Sequence, residues 1–193
     1  MSSSINEIKE RNARSYKLIL LFAMVSMFMM FAGLTSAFVV SKSRADWIDN
    51  FRLPSAFYFS TAAIIGCSIT FHLAKKAIQK NNRNATTSFL LATFALGIVF
   101  VILQFVGFRQ IVDSGYFFTG SASSITTTFL YIVTIVHLAH LAGGMISLLI
   151  IIYNHFKQKY NSTQTLGIEL GAMYWHFLDF LWIYLFLFLY FFK

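Results

Sequence analysis

The sequence predicts an all-α integral membrane bundle of five transmembrane helices, with the N-terminus cytoplasmic and the C-terminus outside. Three observations predict it. The composition is 58% hydrophobic with a mean hydropathy of +0.68, and only 11% of residues are charged, against about 25% in soluble domains. Five continuous apolar runs reach the length, about 20 residues, that a helix needs to cross a bilayer core of about 30 Å. They lack the short alternating strands of a β-barrel, and backbone amides in lipid must be paired internally, which a helix achieves. Finally, the basic residues are uneven. Lys9, Arg11, Arg14 and Lys17 precede the first run, Lys75, Lys76, Lys80 and Arg83 flank the second connection, and Lys157 and Lys159 lie in the fourth. The opposite side holds Lys42, Arg44, Arg52, Arg109 and Lys193. The richer side is assigned to the cytoplasm.

The runs are placed at residues 16–40, 54–78, 86–108, 125–153 and 171–192, in a single membrane domain over residues 1–193. The first follows a basic stretch, as a signal peptide's apolar region does. It is too long for that role and no small-x-small cleavage site follows it, so a retained helix is expected. Gly33 and Ala37 give it a small-residue edge. A loop over 41–53 then holds Trp47 between charges, the setting of an interfacial aromatic. The second run contains the lone Cys67, expected as a small buried apolar residue; one cysteine permits no disulfide within the chain. The polar turn Asn81-Asn82-Arg83-Asn84 leads to the third run. The Gly- and Ser-rich stretch 109–124 is expected to be irregular. In the fourth run Ala139, Gly143 and Ser147 recur every four residues, with Ala142 and Gly144 beside them, a ridge for close helix approach. Connections of roughly a dozen residues make consecutive helices antiparallel neighbours. Most of the 23 Phe are expected on the lipid surface or between helices.

The net charge of +8 and pI of about 9.7 read as a topology signal. The bases are scattered over short loops with no recognition fold, which argues against nucleic acid as a partner. No internal repeat points to an inverted-repeat transporter. There is no Cys-x-x-Cys-His, phosphate-binding Gly loop or Ser-His-Asp set.

Chemistry-bearing residues are few. His72 and His155 lie near inner helix ends and suit the headgroup region. His137 and His140 share one face of the fourth helix. His176 and Asp179 form a second pair three residues apart, with Glu169 just before them. A carboxyl at membrane depth costs about 2.5–3.5 kcal/mol on insertion scales, so Asp179 needs a partner. Three His and a carboxylate are enough ligands for iron, copper or zinc. However, helical rise places His140 about 20 Å from the inner end of its run and His176 about 8 Å from that of its own. Interhelical hydrogen bonding is therefore favoured and no metal is assigned. A stand-alone redox or metal protein using His137, His140 and His176, or a small transporter, remains the alternative.

Trp175-His176-Phe177-Leu178-Asp179 with Trp182 resembles the last helix of subunit III of the haem-copper terminal oxidases. His137-x-x-His140-x-x-x-Gly144 and Glu169, seven residues before His176, are similar to further motifs of that family. Ser60-Thr61, Ser68-Ile69-Thr70 and Gln104 resemble weaker ones. Bacterial forms with five spans, lacking the first two of seven, are known, and this chain looks like those. The family usually carries a carboxyl, the target of carbodiimide modification, in what is here the first helix. Met27 stands at that place and residues 16–40 hold no acid, so no carboxyl-dependent role carries over.

The resemblance implies an accessory subunit of a proton-pumping respiratory oxidase, of the cytochrome c rather than the quinol type, in a bacterial plasma membrane. It implies no cofactor bound by this chain, with haem and copper in subunits I and II, bound phospholipid, and a respiratory supercomplex as a further partner. On that reading His137, His140, Glu169, Trp175, His176, Asp179 and Trp182 form a lipid-binding or structural polar network. Ala139, Gly143, Gly144 and Ser147 serve helix packing.

Overall fold

A computed structural model describes residues 2–48, 52–118, 120, 124–161 and 164–192, the side chains of 2–6 and 9 excepted. Lys193 and parts of the first and third connections, 49–51, 119 and 121–123, lie outside the described residues. Five α-helices follow in order: α1 Ser2–Val40, α2 Ser55–Gln79, α3 Arg83–Asp113, α4 Ile125–Phe156 and α5 Leu166–Phe191. A 3-10 turn at Ser41–Ser43 follows α1. All five are long and apolar enough to cross a membrane, and among the described residues there is no strand.

The helices run further than their apolar runs. α1 begins at Ser2, well before residue 16, because its polar first turns lose nothing by staying helical outside an apolar layer. α3 reaches Asp113 and α5 starts at Leu166 for the same reason. The α2–α3 connection is Lys80–Asn82 alone, not a dozen residues. It is this short because Asn81 takes a left-handed φ of 57°, which Asn tolerates better than most residues. Asn82 then caps α3, its Oδ1 accepting from Ala85 N at 3.1 Å. At α4, Ser124 and Thr127 form a reciprocal capping box.

Side-chain contacts fix the directions. Lys17 meets Glu169, and Thr35 meets Tyr184, so α1 runs parallel to α5. Thr61 meets Trp182 and Ser68 meets His176, so α2 runs antiparallel to α5. Phe100 packs on His137 and Phe108 on Tyr131, so α3 and α4 are antiparallel. α5 is the central helix, touching α1, α2 and α4. It buries 44% of its most apolar stretch, against 17% for α1, which places α1 at the periphery.

The main core gathers Cys67, Phe71, Leu90, Phe100, Leu141, Trp175 and Trp182 around α5. A second core toward the C-terminal end of α5 joins Phe38, Phe57, Ile111, Tyr131 and Leu189. Trp47 folds back on it, its ring 4.8 Å from that of Phe38.

Of the small residues expected to serve helix packing, Gly144 meets a neighbouring helix most closely. Gly33, Ala37, Ala139, Ala142 and Gly143 are exposed, and Ser147 is half-buried. Gly144, one position over, is the residue pressed against a neighbouring helix: a Cβ there would stand 2.9 Å from Leu178 Cδ1 and 3.3 Å from the Trp175 ring. The 100° step per residue puts Gly143 and Gly144 on different faces, and the bulky Trp175 needs the flat one.

Candidate functional site

Two polar constellations and one groove arise from this packing. In the first, α2 presents Ser68 and His72 four residues apart, and α5 presents His176 and Asp179 three apart; both pairs lie on one helical face. Ser68 Oγ and His176 Nδ1 are 2.7 Å apart. The His72 and His176 rings lie 6.3 Å apart between centroids. Asp179 Oδ2 stands 4.0 Å from His176 Nδ1, and neither of its oxygens has a hydrogen-bond partner in the structure. With α5 beginning at Leu166, Asp179 sits about 20 Å along it, near the middle of the span.

In the second, the imidazole of His137 is fully buried between Phe31, Phe100 and Trp182. Neither of its nitrogens has a hydrogen-bond partner, unlike the interhelical bonding expected of it, because aromatic rings surround it. Trp182 Nε1 donates to Thr61 Oγ1 at 3.1 Å and Gln104 Nε2 to Ser60 Oγ at 2.9 Å, tying α2 to α5 and α3. His140 turns away: its Nδ1 lies 2.8 Å from the Val136 carbonyl, so that nitrogen carries the proton. Its own carbonyl accepts from the Tyr174 hydroxyl at 3.0 Å. Trp175 packs edge-on to Phe71 against Gly144.

His137 and His140 thus share Phe31, while His176 belongs to the other constellation. Among the described residues no group of three or more His, Cys, Asp or Glu could hold a metal ion.

The groove lies between α1 and the α4–α5 pair at the basic end. Its polar basin, about 700 Å³, is lined by Lys17, Lys159, Thr165 and Glu169 among others. Lys17 Nζ donates to Glu169 Oε2 and Thr165 Oγ1 to Glu169 Oε1, each at 2.7 Å. An apolar slot of about 490 Å³, lined by Leu20, Ala23, Met27, Ile150 and Leu170 among others, shares Tyr160 and Gly167 with the basin. Met27 therefore faces an apolar slot.

The profile described as cytochrome c oxidase subunit III matches residues 11–193. The chain belongs to that family. It is similar to cytochrome c oxidase subunit 3 of Spodoptera frugiperda, with 32% identity over 144 residues covering 72% of this chain and 89% of that protein. The same subunit of Drosophila melanogaster is 31% identical over 144 residues, covering 72% and 50%. That of Petromyzon marinus is 29% identical over 143 residues, covering 74% and 51%. The chain spans about half the length of the Drosophila and Petromyzon relatives. Together with the five apolar helices, the family points to a multi-pass membrane protein.

In this subunit III chain, sequence reasoning missed partners more than sites. Lys17 and Thr165 serve Glu169, Ser68 serves His176, and Thr61 serves Trp182. Each is a hydroxyl or amine set in an apolar run or at its end, which was the available signal. His72, read as interfacial, is exposed toward the end of α2, and its ring also lies 6.3 Å from that of His176.

Proposed function

We propose that this chain is a cofactor-free accessory subunit of a proton-pumping haem-copper oxidase of the cytochrome c type, in a bacterial plasma membrane with its N-terminus in the cytoplasm. The haems and copper reside in subunits I and II. This chain braces subunit I and holds phospholipid. Membership of the subunit III family supports the assembly. The uneven basic residues support the orientation.

One observation carries the lipid role: a polar basin with two lysines runs into an apolar slot through Tyr160 and Gly167. That is the shape and chemistry of an amphiphile, with the headgroup beside Lys17 and Lys159 and an acyl chain against Leu20, Ala23 and Met27. Glu10 and Glu169 line the same basin, and Glu169 is paired with Lys17, so its charges balance and suit a zwitterionic headgroup.

Native mass spectrometry of the complex, released in mild detergent, tests it. The wild type should retain phospholipid, and Ala23→Trp, which fills the slot, should lose it. Equal lipid in both would contradict the assignment.

A further inference from the structure

Gln104 in α3 and Thr134 in α4 are both fully buried. Gln104 lies four residues from Phe100 and four from Phe108, and Thr134 three from His137 and three from Tyr131. Phe100 packs on His137 and Phe108 on Tyr131, so the two polar residues sit at one level of the α3–α4 seam. Depth agrees. Each is nine residues from the outer end of its helix, Asp113 for α3 and Ile125 for α4, which is about 14 Å by helical rise. A bilayer core of about 30 Å has its middle close to that depth.

Each residue leaves one polar atom without a partner, and the orientations are fixed. Ser60 Oγ donates to the Phe57 carbonyl at 3.0 Å, so it accepts from Gln104 Nε2 at 2.9 Å. Gln104 Oε1 is left as a bare acceptor. Thr35, Thr61, Thr70, Thr86, Thr87 and Thr93 all return their hydroxyls to the carbonyl four residues back. Thr134 does not, and its Oγ1 bonds no group of the protein. It holds an unspent donor at the level where Gln104 needs one, yet the two do not bond each other. Unmatched polar atoms at this depth are costly, because lipid offers them nothing. An occupant that satisfies both must donate to an amide oxygen, accept from a hydroxyl and be small enough to sit between two fully buried side chains. Water meets all three conditions, and hydrocarbon meets neither of the first two.

We propose that a buried water bridges α3 and α4 near the middle of the membrane, donating to Gln104 Oε1 and accepting from the Thr134 hydroxyl. Buried waters take about two to four such bonds, and these are two. His137, one turn along, stays among the rings of Phe31, Phe100 and Trp182 and takes no part.

A cryo-EM map of the complex, at a resolution that shows ordered water, tests it. A peak within hydrogen-bonding distance of both Gln104 and Thr134 is expected in the wild type and in Thr134→Ser, which keeps the hydroxyl, and is lost in Thr134→Val. Thermal unfolding in detergent reads the same bridge. Thr134→Val should lower the melting temperature by a few degrees in the wild-type chain and by less in Gln104→Leu, because either substitution alone removes the bridge. A direct bond between the two side chains with no peak between them, a Thr134 hydroxyl turned back on the Leu130 carbonyl, or additive losses in the double variant would overturn it. If Thr134→Val fails to assemble, the wild-type and Thr134→Ser maps decide.

Discussion

His137 and Gly144 are the residues at which packing makes its sharpest demands. A buried imidazole with both nitrogens unpaired carries an unrecovered desolvation cost of about 1–3 kcal/mol for each unmatched group. His137→Leu should therefore leave the melting temperature in detergent unchanged or raise it. A fall of several degrees would mean that its nitrogens are partnered. Gly144→Val should overpack the Trp175 and Leu178 contact and cost about 1–3 kcal/mol. Gly143→Ala on the exposed face should stay within about 0.5 kcal/mol; thermal unfolding of the two variants in one detergent separates them. The residue types of the site were legible in the sequence, since a His or Asp in an apolar run stands out. Their partners were not, because which hydroxyl meets which ring depends on helix rotation. Ser68 and Thr61 look the same along the chain, yet one meets His176 and the other Trp182.

Among the elements, the α2–α3 hairpin is the tightest. Its three-residue turn depends on Asn81 at positive φ. Asn81→Gly should be nearly neutral, and Asn81→Val should cost about 1–2 kcal/mol, read as a lower melting temperature. α1 is held differently, by Lys17–Glu169 at one end and Thr35–Tyr184 further along. The ion pair is partly exposed, so Lys17→Met should cost under about 1 kcal/mol. All five helices were legible from hydropathy alone, since a run of about 20 apolar residues has one structural solution in lipid. Their ends were not, because the polar turns of α1 and α3 continue past the apolar layer. Small residues mark where a helix allows close approach; within this chain Gly144 is so used, while Gly33, Ala37, Ala139 and Gly143 face outward.

At the scale of the molecule, the parallel α1–α5 pair and odd number of spans place the two termini at opposite ends. With the basic end inside, a membrane-impermeant thiol reagent on intact cells should label Ser43→Cys and spare Lys80→Cys; the reverse would invert the orientation. The most direct test is to tag the chain, release it mildly from native membranes, and record a reduced-minus-oxidised spectrum with oxygen uptake. Haem bands, larger co-purifying subunits and oxygen consumption are the result predicted for an oxidase subunit. A colourless chain purified alone would contradict it.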